Sequence, residues 1–131
     1  MAIHESGQMY LETIYILSQS NPYVRAIDVG GRMGFSKPSV SRALSILKRD
    51  GYVKIGDNGA IILTKSGRTV AQTMYTRHTV LSQMLMNLGV DGKTAAEDAC
   101  RIEHVISEKS FKALQAHLEQ VSKIRRKRRR P

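Results

Sequence analysis

Apolar side chains recur at near-helical intervals between residues 5 and 19, at Met9, Tyr10, Ile14, Ile16 and Leu17, with no glycine or proline after Gly7. This spacing predicts a first helix over 5–19. "NPYV" interrupts it. The following "RAIDVGGRM" predicts a short second helix, although Gly30 and Gly31 each cost about 1 kcal/mol relative to alanine. Gly34 then supplies a tight turn, Ser36 is a favourable N-cap, and Pro38 falls in a first turn, where its missing N–H does no harm. Val40, Ala43, Leu44 and Leu47 make the apolar stripe of a third helix, Lys48 and Arg49 suit its negative end, and Gly51 stops it. Two short strands follow, over 52–55 and 60–63, joined by the turn residues "GDNG". Helix, glycine turn, helix and hairpin in that order predict a winged helix-turn-helix.

The second half is helical throughout. A cap at Thr64 or Ser66 opens a long helix to about Leu88, a further helix spans 91–106, and a last one spans 107–124 with Phe111, Leu114 and Leu118 at i, i+3 and i+7. The fold class expected is mainly α with a small β-hairpin wing. Residues 1–70 form the winged helix-turn-helix, 71–122 a second, helical domain, and 123–131 a basic, disordered tail. The stripe on the last helix and "VLSQMLMNLGV" are the surfaces expected to join two copies of the chain.

Composition adds few restrictions. The 131 residues carry a formal net charge of +10, and six of those charges lie in the run 125–130, so the remainder holds only 10 − 6 = +4. Charge alone is therefore weak evidence for nucleic acid, and the terminal run either adds nonspecific phosphate contacts or is a solvated end. No apolar stretch approaches the roughly 20 residues of a membrane span, and "MAIHESGQMYLE" lacks the basic and apolar regions of a signal peptide, so a cytoplasmic protein is expected. The single cysteine, Cys100, cannot form an internal disulfide, which agrees with a reducing compartment.

A helix-turn-helix places the N-terminal residues of its second helix in the major groove, which here means Ser36 to Arg42. Lys37, Ser39 and Ser41 suit phosphate, Arg42 can bond guanine O6 and N7 together, and Pro38 offers an apolar surface to a thymine methyl. With Ser36 these form the expected contact set for double-stranded DNA. A helical hairpin with a solvated basic face is the alternative, and the order of turn, cap and wing argues against it.

The stretch "EDACRIEHVIS" holds different chemistry. Cys100, Glu103 and His104 stand at i, i+3 and i+4, which on a helix brings a thiol, a carboxylate and an imidazole to one face. Met9 and Glu12 stand i, i+3 on the first helix and His78 lies within the long fourth one. Six sulfur, nitrogen and oxygen donors would meet at a metal ion if these helices pack together. Taken singly, each has a plainer reading: Met9 as core, His78 as a surface cap, Glu12 in an ion pair, Cys100 as a small buried hydrophobe.

"MYLETIYIL", "SKPSVSRALSILKRDGYV", "LTKSGR", "RHTVL" and "ACRIEHVIS", in this order over residues 5 to about 120, resemble the diphtheria toxin repressor family of iron- or manganese-dependent transcriptional repressors. The resemblance implies a helical metal-binding and dimerisation domain after the winged helix, a homodimer on a palindromic operator, and activation by a divalent metal. By position, Met9, Cys100, Glu103 and His104 match the principal site of the iron branch. Glu12 resembles a ligand of the manganese branch, and His78 a histidine used in both. Ser82 and Ala96 occupy places where the iron branch has further ligands. Iron-branch members often carry a third, SH3-like domain, whereas "SKIRRKRRRP" ends this chain, as in the two-domain form more usual in the manganese branch. Thioether and thiolate donors favour softer metals than Mn(II), so Fe(II) is the corepressor expected, with Mn(II) the alternative and other divalent first-row metals able to bind in vitro.

Two other functions compete. A thiol-redox regulator would use Cys100, but no second cysteine is present to resolve it. A small metal-dependent hydrolase would need an open coordination position and a general base beside a cleft, and the His-Glu-x-x-His pattern is absent. No catalytic residue is expected.

Overall fold

The computed structural model describes residues 3–129. The elements run α1 Glu5–Ser18, α2 Ala26–Met33, α3 Lys37–Arg49, β1 Val53–Ile55, β2 Ile61–Leu63, α4 Lys65–Asn87, α5 Gly92–Ile102 and α6 Glu108–Arg129, a mainly α fold with one hairpin. Two compact units divide after Tyr75, inside α4. Among the described residues no helix is long and apolar enough to cross a membrane.

The first unit is built on the predicted stripes. Tyr10, Leu11 and Ile14 of α1, Val29 of α2, and Val40, Leu44 and Leu47 of α3 share one core with Val53 and Ile61 of the hairpin. At 25–30 cal/mol per Å2 of apolar surface, each such aliphatic side chain contributes about 1.5–3 kcal/mol, enough to offset the poor intrinsic helicity of α2. That helix is also fixed at its start, where the Arg25 N–H donates to Asp28 Oδ2 at 2.9 Å. Gly34 ends it with φ of 72°, a left-handed conformation that aims the chain into α3. Ser36 caps α3 as predicted, accepting from the Ser39 N–H at 3.4 Å.

The strands are one residue shorter at their starts than the sequence suggests, and they pair antiparallel with Val53 opposite Leu63 and Ile55 opposite Ile61. The Ile61 N–H also donates to the Val24 carbonyl at 2.7 Å, so the segment before α2 extends the hairpin sideways. Thr64, rather than Ser66, opens α4: its Oγ1 accepts from the Gly67 N–H at 3.2 Å and donates to the Gly51 carbonyl at 2.6 Å. Any side chain at Gly67 would overlap the Tyr52 carbonyl, which explains a glycine in the first turn of a helix.

In the second unit Asp91 caps α5, accepting from the Thr94 N–H at 3.0 Å, and those hydrogen bonds hold its carboxyl below the usual carboxylate range. Val80, Leu81, Ala95, Ala99 and Phe111 are buried. Two predictions fail here. The helix expected over 91–106 stops at Ile102, and the tail expected to be disordered from 123 is instead the end of α6, which continues through Arg129. Arginine and lysine are good helix formers, and cations at a helix C-terminus are favoured by the peptide dipoles, both of which oppose the repulsion of the run. Residues 130–131 lie outside those described. Phe111, expected in a surface between two copies, is only 6% exposed and belongs to this unit's own core.

Candidate metal centre and nucleic-acid interface

Glu103 is the centre of the second unit's polar chemistry. It caps the end of α5 and is fully buried, with 0% exposure. An ionised carboxylate in that position costs several kcal/mol unless it is paired. Its two oxygens face two imidazoles: Oε2 lies 3.1 Å from Nδ1 of His78, carried by α4, and Oε1 lies 3.3 Å from Nε2 of His104, whose side chain is also buried. The His78 Nδ1, when it carries the proton, can donate to Oε2; the Oε1–Nε2 pair is a close contact. The same donors fit a divalent first-row ion. With metal–ligand bonds of about 2.0–2.2 Å, adjacent ligand atoms stand roughly 3 Å apart, the spacing seen here, and carboxylate and imidazole are acceptable to all such metals.

The turn carrying Glu103 and His104 is held by a residue that the sequence did not single out. Arg77 is next to His78 on α4 and almost buried. Its Nη1 donates to the carbonyls of Glu103 at 3.1 Å and Ile106 at 3.0 Å, and its Nη2 to Glu108 Oε2 at 3.1 Å. The guanidinium also lies 5.6 Å from the centre of the Phe111 ring. Nη1 satisfies carbonyls left over at a helix end while Nη2 reaches Glu108, a fork that a lysine's single nitrogen does not supply. The expectation that Cys100, Glu103 and His104 share a regular helix is therefore corrected. α5 ends at Ile102, but Glu103 keeps right-handed helical angles of −58° and −27°, so the local coil continues past the last regular turn.

The structure thus brings His78, Glu103 and His104 together. Cys100 is half-buried on the last turn of α5. Met9 and Glu12 belong to the first unit, one turn apart on α1. Met9 is half-buried, and Glu12 is 7% exposed, an uncommon state for an ionisable group.

On α3, Lys37, Pro38, Ser41 and Arg42 are exposed in the first two turns. Ser36 and Ser39 are engaged with each other, their hydroxyls 3.0 Å apart, so both serve the cap as well as any ligand. Arg42 borders a cleft of about 850 Å3 that Tyr10, Phe35 and Ile46 also line. Burial pushes the Tyr10 phenol above its ordinary pKa, and the nearby Arg42 charge opposes that push.

Residues 2–61 match the family model for the iron dependent repressor N-terminal DNA binding domain, and residues 64–131 match that for the iron dependent repressor metal binding and dimerisation domain. The diphtheria toxin repressor of Corynebacterium diphtheriae is 30% identical over 120 residues, 91% of this chain and 53% of the relative. The HTH-type transcriptional regulator MntR of Geobacillus kaustophilus is 32% identical over 102 residues, 78% of this chain and 72% of the relative. A solved manganese-dependent transcriptional repressor in complex with manganese superposes with a TM-score of 0.80 at 30% identity, covering 86% of this chain and 52% of that one. The chain spans about half the length of the diphtheria toxin repressor. With one family model on the helix-turn-helix half and the other on the half that holds Glu103, this chain belongs to the iron-dependent repressor family.

Proposed function

We propose that the protein is a cytoplasmic, metal-dependent DNA-binding repressor that controls metal-ion homeostasis, acting as a homodimer on a palindromic operator with Fe(II) or Mn(II) as corepressor. The observation that carries this reading is the fully buried Glu103 carboxylate set between two imidazoles, in the half of the chain that matches the metal binding and dimerisation model. His78, Glu103 and His104 are the proposed core of the site, with Cys100 from the same helix end, and Met9 and Glu12 as further donors on their sequence positions. The ion supplies positive charge against the buried carboxylate and is a corepressor rather than a catalyst.

The chain's own residues divide the remaining work. Lys37, Ser39 and Ser41 hold phosphate, Arg42 reads a base edge, Pro38 packs on it, and Ser36 keeps the first turn of α3 in shape. Arg77 holds the Glu103 turn in place. We place Fe(II) first because Met9 and Cys100 are sulfur donors. The buried Glu12 and the manganese-dependent relative favour Mn(II) as the second reading.

The test is anaerobic DNA binding across a buffered metal series, on duplexes enriched from a random pool by the metal-loaded protein. Fe(II) should raise affinity more than Mn(II) does, and His104→Ala should lose the response while keeping the apo protein's circular dichroism. Wild-type affinity and metal dependence in His104→Ala would overturn the site.

A further inference from the structure

The cations at the end of α6 form a regular helix with no acidic partner among the described residues. After Glu119 the sequence has no acidic residue, and Lys123, Arg125, Arg126, Lys127, Arg128, Arg129 and Arg130 follow. α6 is helical through Arg129, and residues 123–128 are all exposed. Successive helical residues are rotated by about 100°, so the four cations from Arg125 to Arg128 cover the whole circumference. Among the described residues, Arg125 bonds a neutral partner, Asn87 Oδ1 at 3.3 Å, and none of Lys123 to Arg128 pairs with a carboxylate. Like charges at i, i+4 (Lys123 with Lys127) and at i, i+3 (Lys123 with Arg126, Arg125 with Arg128) oppose the helix they stand on. A dense external array of negative charge would relieve all of these repulsions together.

We propose that the basic end of α6 is a second DNA-contacting element, which binds the phosphate backbone of duplex DNA without reading its sequence. Three features favour this partner. A membrane-surface helix needs an apolar face, and beyond Ile124 the sequence has no large apolar residue to form one. Recognition of single-stranded or looped RNA uses aromatic stacking, and no Phe, Tyr or Trp follows Phe111. Duplex DNA is the polyanion that the winged helix of the same chain already brings, so the tethered cations meet it at high effective concentration. This last step rests on the DNA-binding reading of the first unit.

The experiment compares the full chain with one ending at Ile124, and with a full-length variant carrying Gln at positions 125–130. Anisotropy of a labelled non-operator duplex is followed from 50 to 200 mM salt, with chelator present. If three cations per protomer reach phosphates, the slope of log affinity against log salt falls by roughly 2.7 per protomer in both variants. The full chain then loses roughly 40-fold more affinity per protomer than either variant over that range. The ratio of affinities with and without Mn(II) on an enriched duplex should be the same for all three proteins, which separates this proposal from the metal reading. An unchanged slope in the Gln variant would overturn it. So would binding to phosphatidylserine vesicles or to duplex RNA that depends on 125–130 while the DNA slope does not.

Discussion

Replacing Arg77 by methionine removes the clamp on the Glu103 turn while filling much of the same volume. Two hydrogen bonds from a charged donor to the carbonyls of Glu103 and Ile106 are worth about 1.5–3 kcal/mol each. The bond to Glu108, whose side chain is 62% exposed, adds under about 1 kcal/mol, and the contact with Phe111 about 1 kcal/mol. Against this, methionine avoids the desolvation of a buried guanidinium, which is itself several kcal/mol. The net loss expected is about 2–4 kcal/mol, dominated by the carbonyls left without a donor, and about 10 °C in Tm for a chain of this size. Because the same carbonyl belongs to Glu103, metal affinity should fall as well, by roughly 10- to 100-fold, as when an outer-shell partner of a ligand is removed. Thermal melting with chelator gives the first number, and competition against a metal-binding dye gives the second. Arg77→Lys retains the charge but loses the second nitrogen of the fork and its planar geometry, so it should fall between the two on both scales. If Arg77→Met melted within 2 °C of wild type with unchanged metal affinity, the clamp would be an ornament of the static geometry and the reasoning would be wrong.

Arg42→Ala should relax sequence preference by about 1–3 kcal/mol at one base pair, whereas Lys37→Ala should weaken binding to every duplex and lower the salt slope by about 1. Equal effects of the two on operator and random duplexes would break the assignment. Cys100→Glu, which exchanges a soft donor for a hard one, should move activation from Fe(II) towards Mn(II) in the buffered metal series; an unchanged order of metals would remove Cys100 from the donor set. Asp91, with its carboxyl held low by the Thr94 N–H, contributes stability that is full above the ordinary aspartate pKa and is lost as pH falls through the lowered one. Asp91→Ala should therefore be less stable at neutral pH and show a shallower acid limb in a melting series, and parallel pH profiles would contradict the cap.

The first unit was legible because its signals are local. Ser36, Pro38 and Gly34 act within a few residues of themselves, and the stripes on α1 and α3 report a buried face directly from spacing. The second unit was less so. Just beyond the end of α5 at Ile102, the carbonyls of Glu103 and Ile106 are taken by Arg77, a residue more than 20 positions earlier in the chain, and no pattern within 91–106 records that. Arg77 itself reads as one more surface cation until α4 and the turn are seen together. The tail departs from expectation for a different reason: repulsion within a run of like charges favours disorder, but the helical preference of arginine and lysine and the favourable end of the dipole oppose it. The pairing of His78 with Glu103 has no signal in spacing either, since 25 residues separate them.

That pairing bears on how a metal response can be tuned. His78 already engages Oε2 of the Glu103 carboxylate and His104 lies close to Oε1, so the buried charge is not an open vacancy that only an ion can fill. Any ligand to these atoms must displace carboxylate–imidazole contacts at 3.1 and 3.3 Å, and the observed affinity is the difference between the two sets. Weakening the resting contacts without removing a donor should therefore tighten metal binding, and strengthening them should loosen it. It also explains why His104→Ala is expected to keep its fold. His78 stays opposite Oε2, and Arg77, which does not touch the carboxylate, still holds the turn by its backbone.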